Sequence, residues 1–294
     1  MNIKHKINDF LTKTTGYRLT KTSAIPDLRG KVTDPREGIY HAKTFPFIMD
    51  LPFDKGGDWL YSTYTENSSA VYYQAAKAAL RAWGQGEKAV KKEIERLLTD
   101  FASLVNIDHP NQLLGLTREE SKFNDAKKVY EMVLPWDNRS VEEVSKVISS
   151  SILEENKRYG LNVSSSLFDH GVSVHKIHLE VERIYMLMRS IKDKGFIYDS
   201  SNLVSVRVLV SGGEYVWRTR GGMHRAAILA AMDWKRLPVT VSQIINRDDV
   251  MHWPTLNKGL YSKDVALKVF DRVFFAKPPA VYGDWLKKIK SYEE

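Results

Sequence analysis

The 294-residue chain contains no cysteine. It therefore has no disulfide bond, no cysteine-ligated zinc and no thiolate nucleophile, and this composition suits a reducing compartment. No stretch approaches the roughly 20 consecutive apolar residues of a membrane-spanning helix, and the N-terminus lacks the apolar segment and small-residue cleavage site of a signal peptide. Repeats and low-complexity tracts are also absent. We expect a cytoplasmic protein.

The chain has an excess of basic residues, with a formal net charge of +8. Such a balance favours a polyanionic partner, which is a nucleic acid, an acidic membrane surface or a phosphorylated small molecule. A basic surface without a specific partner is the simpler alternative. Apolar residues at helical spacing among lysines also predict a short basic helix within residues 1–19, either on a membrane surface or packed on its own domain.

The first 160 residues predict a mixed α/β region. Residues 20–67 are rich in proline and aromatics and predict irregular or strand-like structure. Helical periodicity covers about 70–105, with a break at Gly84 and Gly86. Ser140 and Glu143 form a capping box for a helix over about 140–158, which Gly160 ends.

A strand, hairpin, strand, helix, strand unit follows and is the centre of the sequence. Alternating valines predict a strand over 203–210, a turn and a second strand over 214–219 precede Gly221 and Gly222, and a helix over 223–233 leads to a strand over 237–241. Adjacent glycines let a ligand approach the backbone, and the start of a helix binds anions. The cationic or potentially cationic residues around these glycines, Arg218, Arg220, His224 and Arg225, therefore predict a bound phosphate.

Residues 221–225, Gly-Gly-Met-His-Arg, resemble the Gly-Gly-Cys-His-Arg signature of sulfiredoxins and the Gly-Glu-Arg-Arg signature of ParB partition proteins. An alanine-rich helix and Leu-Pro-Val-Thr-Val follow, and residues 183–196 upstream resemble the superfamily's helix that ends in a glycine. The resemblance covers about 165–245, less than a third of the chain. It implies an α/β (α+β) fold in which a ParB/sulfiredoxin-like nucleotide-binding core over 161–245 follows the mixed region 1–160 and precedes a helical extension over 246–294.

The resemblance also implies which residues contact the nucleotide. Arg183 and Ser190 stand where sulfiredoxins have a nucleotide-contacting Lys and a Thr, whereas Met186 departs from a Ser. Met223 replaces the catalytic Cys, and a thioether cannot serve as the nucleophile, so sulfiredoxin activity is excluded on chemical grounds. With Arg220 added for its charge, the predicted nucleotide-binding residues are Arg183, Ser190, Arg220, Gly221, Gly222, His224 and Arg225.

The superfamily includes an ADP-dependent serine kinase, so the resemblance favours a nucleotide-dependent phosphotransferase. Its cofactor is expected to be ATP or ADP with Mg²⁺, with CTP as the alternative, and its acceptor a hydroxyl of a small molecule or a sugar or glycan precursor. Residues 15–19, Thr-Gly-Tyr-Arg-Leu, resemble bacterial polysaccharide modification proteins and favour a sugar. The catalytic candidates are Glu180, Glu182 and His224, although a salt bridge is the alternative role of either carboxylate.

Two other functions remain open. A ParB-like, CTP-switched DNA-binding protein would make DNA the partner, but too little chain follows the core for the additional domains of ParB clamps. A non-catalytic nucleotide-binding adaptor would use its aromatic N-terminal region as the partner surface. His175, His178 and Glu182 share a helical stripe with metal-ligand spacing. That spacing is common by chance and no third strong ligand is near, so a solvent-facing or hydrogen-bonded role is favoured and no metal site is assigned.

Overall fold

The computed structural model describes residues 24–65, 68–121, 128–129, 131–197 and 203–292. The basic helix expected within residues 1–19, together with the stretch 15–19 that favours a sugar acceptor, lies outside the described residues. Within the described ranges, no helix is both long enough and apolar enough to cross a membrane.

The described residues form ten α-helices and a five-stranded sheet. The helices are α1 (Pro35–Ala42), α2 (Val71–Ala82), α3 (Glu87–Leu104), α4 (Pro110–Leu114), α5 (Val141–Lys157), α6 (Val174–Lys194), α7 (Met223–Ala231), α8 (Pro254–Asn257), α9 (Lys263–Phe274) and α10 (Gly283–Lys290). The strands are β1 (Phe47–Pro52), β2 (Gly56–Gly57), β3 (Val204–Ser211), β4 (Glu214–Gly221) and β5 (Arg236–Asn246). The class is mixed α/β, as the sequence predicts, whereas the ParB/sulfiredoxin-like character of the core rests on the resemblance alone.

The strands lie in the order β1-β5-β3-β4-β2. β1 pairs antiparallel with β5, β5 pairs parallel with β3, β3 pairs antiparallel with β4, and β4 pairs parallel with the short β2. The alternating valines of β3 explain its central position, because Val204, Val206 and Val208 are completely buried. The predicted unit around the two glycines is confirmed as β3, β4, α7 and β5.

A tight turn and a close approach of the backbone depend on glycine. Gly212 and Gly213 have φ values of 56° and 81° in the turn that joins β3 to β4, and this is the conformation that a tight hairpin requires. At Gly56 a Cβ atom would lie 2.1 Å from the Trp217 ring, so a larger residue would push β2 away from β4.

Small residues bring the helices close together beside the sheet. Ala75 and Ala79 on α2 are completely buried, as are Ala226 and Ile228 on α7, and the two helices are in contact. Side-chain size at such a contact sets the distance between helix axes. α3 packs on α2 and α6, and α6 in turn contacts α7. This packing fixes the start of α7 relative to α6.

The predicted helices have nearly the expected bounds. The periodicity over 70–105 corresponds to α2 and α3, which a short 3₁₀ turn at Trp83–Gln85 separates. α5 begins with the predicted capping box, since the Ser140 side chain accepts from the Glu143 N–H and the Glu143 side chain accepts from the Ser140 N–H. The hydrophobic stripe of α6 is buried along its length.

The expected boundaries at residues 160 and 245 do not separate independent cores. β1 and β2 belong to the first 160 residues, yet they pair with β5 and β4 in the same sheet. The C-terminal range is also joined to the rest, because the buried Trp285 donates its indole N–H to the Ser69 carbonyl at 3.0 Å. One hydrophobic cluster contains side chains from all three ranges.

Candidate functional site

A cavity of about 740 Å³ opens where β4 ends and α7 begins. One wall is a stripe of α6, whose spacing of three and four residues places Lys176, Glu180, Arg183, Leu187 and Ser190 on one face. The opposite wall is a stripe of α5. The turn between β4 and α7 forms the third side. The predicted core range 161–245 therefore supplies α6 and this turn, whereas α5, the segment before it and Tyr72 of α2 come from the first 160 residues.

The turn that begins α7 is built around Gly222. This residue has φ +80°, and a Cβ atom there would lie 3.1 Å from Cγ2 of Val204. The helical bonds begin where the Ala226 N–H donates to the Gly222 carbonyl at 3.1 Å. The first N–H groups of an α-helix have no partner within the helix, and at α7 these positions line the cavity. The start of α7 therefore has the geometry of an anion site.

A buried carboxylate lies beside that turn. Glu180 is 1% exposed, and its Oε1 accepts from Nζ of Lys176 at 2.6 Å, while its Oε2 lies 2.7 Å from Nε2 of His224. Nη1 of Arg183 lies 3.8 Å from Oε1 of the same carboxylate. The Lys176 ammonium also donates to Oδ1 of Asn156 at 2.7 Å, which connects the cluster to α5. Both oxygens of Glu180 are thus occupied by hydrogen bonds.

The electrostatics fix the charge of this cluster. Burial alone would raise the pKa of Glu180, but His224, Lys176 and Arg183 outweigh it and hold that pKa well below its usual range. Burial lowers the pKa of His224, and Arg183 lowers it further against the opposing effect of Glu180. At neutral pH an ionised Glu180 therefore faces a neutral imidazole. Nε2 must carry the proton in this hydrogen bond, which leaves Nδ1 as the nitrogen that can accept one.

Two neighbours hold the imidazole and the guanidinium in place. The Tyr72 ring packs on the His224 ring with 4.0 Å between centroids. Arg183 pairs with Glu155 of α5 at 2.8 Å. Burial lowers the pKa of Arg183, but Glu180 and Glu155 more than reverse this and raise it. Arg183 therefore stays charged at the edge of the cavity.

The structure brings most of the predicted site residues together and leaves one outside. The predicted site residues that line the cavity are Glu180, Arg183, Ser190, Arg220, Gly221, Gly222, His224 and Arg225. Glu182 lies on another face of α6, where it pairs with Lys91 of α3 at 2.7 Å. Glu182 therefore has the role of a salt-bridge partner, which was the alternative to a catalytic role for this carboxylate. His178, on the same side of α6, lies 2.9 Å from Glu95, and the described residues contain no group of three metal-ligating side chains.

Arg218 is not part of the cluster of cations expected at the two glycines. It is 1% exposed, and its guanidinium donates to the carbonyls of Val273 and Phe274 at the end of α9. Burial lowers its pKa to about 10. The separation of Arg218 from Arg220 follows from a bulge, because Ser205 pairs with Gly221 and Val206 with Thr219, which leaves Arg220 as the additional residue of β4.

Sequence reasoning missed several cavity residues. Lys176 stands four residues before Glu180 on one helix, a spacing that signals a side-chain pair. Arg207 is the one charged residue in the valine-rich strand β3, and this interruption of an apolar pattern was the available signal. Asp137 and Arg139 had no local signal, because only the tertiary fold brings the segment before α5 to the cavity.

The cavity also has an extensive apolar surface. Its members come from α5, from the segment before it and from the loop before α6: Val129, Met132, Leu134, Val144, Ile148, Ile152, Leu167 and Phe168. Cationic groups at one side and apolar side chains at the other are the features of a site for a medium-sized organic anion.

Comparison of the chain with protein-family models, with curated proteins and with solved structures finds no match. Function is therefore inferred from the geometry of the cavity and from the resemblance of residues 221–225.

Proposed function

We propose that this protein is a nucleotide-dependent phosphotransferase, which holds the nucleotide phosphates at the start of α7 and transfers a phosphoryl group to the hydroxyl of a small molecule or sugar. The observation that carries the proposal is the glycine turn at Gly222, which opens with Arg225 and Arg183 into one cavity of about 740 Å³. A cavity of this volume suits a drug-sized ligand such as a nucleotide. The resemblance to a superfamily that includes a kinase supports the same reaction.

The chain's own groups suit the phosphate end of such a ligand. The first N–H groups of α7 and its dipole attract negative charge, and Arg225 and Arg183 add fixed positive charge beside them. Arginine binds phosphate oxygens in pairs and remains ionised when partly buried. Magnesium, which is expected to arrive with ATP or ADP, would supply further charge neutralisation on the phosphates.

His224 is the best placed proton acceptor in the cavity. Its Nε2–H is committed to Glu180, so Nδ1 would take the proton of the acceptor hydroxyl as the oxygen bonds to phosphorus and the bond to the departing nucleotide breaks. Glu180 then orients the ring and stabilises the imidazolium, because its carboxylate is already ionised and fully hydrogen-bonded. In this proposal Glu180 is a positioning residue, and Glu182 has no part in the transfer.

The experiment is acceptor-stimulated transfer from radiolabelled ATP or ADP across a panel of sugars and hydroxy amino acids. Once an acceptor is found, His224→Gln should lower kcat by about 10²-fold or more, the usual contribution of a general base, and should weaken nucleotide binding by a smaller factor. His178→Gln, on α6 and paired with Glu95, is the matched control and should retain activity. A chain that binds nucleotide but phosphorylates nothing in the panel would instead be the adaptor, and the kinase proposal would fail.

A further inference from the structure

Two arginines of the cavity lack the carboxylate partners that two other arginines of the cavity, Arg139 and Arg183, have. Arg207 on β3 and Arg220 on the β4 bulge both line the cavity, and neither side chain has a hydrogen bond or ion pair to any residue that the structure describes. Nε of Arg207 is buried without a hydrogen-bond partner. By contrast, Arg139 and Arg183 each pair with a carboxylate.

The pair is electrostatically unfavourable in the absence of an anion. Burial lowers the pKa of Arg207 to about 10, and the neighbouring charge of Arg220 contributes to this lowering. With a pKa of about 10, Arg207 is nonetheless ionised at neutral pH. The charge of Asp137 raises the pKa of Arg207, but the Asp137 carboxylate is hydrogen-bonded to Arg139, whose Nε and Nη2 donate to it at 3.0 and 2.6 Å. Two like charges that share a partly buried site are destabilising unless a counter-charge binds between them.

The position of the pair separates it from the Glu180 cluster. Arg207 lies with Asp137 and Arg139 near the first turn of α5, whereas Arg183 pairs with Glu155 in the last turn of that helix. At 1.5 Å per residue, the helix axis between Val144 and Glu155 spans roughly 16 Å, and both residues line the cavity. The start of α7 lies between these ends, because Arg220 just before it is the charged neighbour of Arg207 and His224 in its first turn contacts Glu180. A ligand held at α7 therefore leaves room on the Arg207 side.

We infer that Arg207 and Arg220 form a second anion subsite, which binds a carboxylate or phosphate carried by the acceptor molecule. The acceptor is then a hydroxylated acid, either a hydroxycarboxylate or a phosphate monoester with a free hydroxyl. Guanidinium groups match both kinds of anion with paired hydrogen bonds. This inference rests on the proposed phosphotransfer for the role of the bound molecule, but the anion subsite itself does not depend on a nucleotide.

The test is calorimetric titration of the full chain with glycerol 3-phosphate and, separately, with glycerate, first alone and then at saturating ADP. We expect one of the two acids to bind the ADP-loaded protein. Arg207→Met should weaken that binding about tenfold or more, the effect of losing a charged hydrogen bond, and change ADP affinity less than about twofold. Arg225→Met is the matched variant and should do the reverse. Arg207→Lys should restore part of the affinity.

Each other outcome has a definite meaning. If Arg207→Met weakens ADP as strongly as Arg225→Met does, the pair belongs to the nucleotide phosphates and the inference is wrong. It is also wrong if neither acid binds the parent protein. If ADP does not bind at all, the proposed function fails, and the titrations without ADP then test the anion subsite separately. Loss of acid binding in Arg207→Met supports the subsite, whereas unchanged acid binding in that variant contradicts it.

Discussion

At the scale of single residues, three buried or half-buried charges differ in the partners that surround them. Glu180 has a full set of donors, Lys176 has two acceptors, and Arg207 has none among the described residues. The same kind of substitution should therefore have opposite effects on stability at Lys176 and at Arg207.

Lys176→Met should strongly destabilise the fold. The substitution leaves Glu180 buried without its ammonium partner, and removing one member of a buried pair costs about 3–5 kcal/mol. Urea unfolding of the full chain measures the change. Lys91→Met on α3 is the matched control, because Lys91 pairs with the exposed carboxylates Glu87 and Glu182, and exposed ion pairs contribute little. Equal losses in the two variants would contradict the buried network.

Arg207→Met should leave stability unchanged or increase it by up to about 1 kcal/mol, as substitutions at functional sites often do. The variant removes a desolvated charge and its repulsion with Arg220, and it breaks no hydrogen bond among the described residues. The melting temperature of the ligand-free chain measures this. A clear decrease would show that the guanidinium has a structural partner and that Arg207 is not held ready for an anion.

The pH dependence of stability reports on Glu180. Its pKa in the folded chain is held far below the unfolded value of 4.5, chiefly because His224, Lys176 and Arg183 outweigh burial. A depressed carboxylate pKa stabilises the fold above the unfolded pKa, and that contribution is lost as the pH falls towards the folded pKa. Below about pH 4.5, where Glu180 titrates in the unfolded chain, the stability gap between the parent and Glu180→Gln should thus narrow as the pH falls. Unfolding free energies measured from about pH 3 to pH 4.5 check this, and a gap that widens over that range has the wrong sign.

At the scale of secondary-structure elements, two helix termini determine which arginines are at the site: the start of α7 and the end of α9. The start of α7 is left open towards the cavity. The end of α9 is closed by the Arg218 guanidinium, which accounts for the absence of Arg218 from the site.

Gly222→Ala should impair both folding and nucleotide binding. Alanine at a positive φ costs about 1–2 kcal/mol, and its Cβ would additionally lie 3.1 Å from Val204. Gly160→Ala is the matched control, because Gly160 has φ +82° but a Cβ atom there would meet no other atom within 4 Å. We expect a larger loss of melting temperature for Gly222→Ala than for Gly160→Ala, and reduced nucleotide affinity only for the former. Unaltered affinity in Gly222→Ala would remove this turn from the site.

At the scale of the whole molecule, local patterns predicted α2, α3, α5 and the β3-β4-α7-β5 unit, because period, capping residues and glycines act over a few residues. They missed the short helix α1, in a range expected to be irregular or strand-like, and the short helix α4. The pairing of β1 with β5 joins segments that are far apart in the chain, such as Phe47 and Val241, and no local pattern specifies such a partner. The site was only partly predictable for the same reason, because its contacts join distant segments of the chain. The sequence placed His224 at the start of α7, but its contact with Glu180 and the position of Arg207 beside Arg220 depend on tertiary packing and on the bulge in β4.

Nucleotide binding at α7 is best tested by a thermal-shift panel of ATP, ADP, CTP and GTP, with and without Mg²⁺, on the full chain. Bound ligand stabilises the native state by about 2.7 kcal/mol at about one hundred times its Kd. We expect an adenine nucleotide to raise the melting temperature of the parent and of Arg189→Ala, whose side chain is exposed on α6, but not of Arg225→Ala. A shift with CTP alone would favour the DNA-binding alternative. No shift with any nucleotide, or an equal shift in Arg225→Ala, would contradict nucleotide binding at α7.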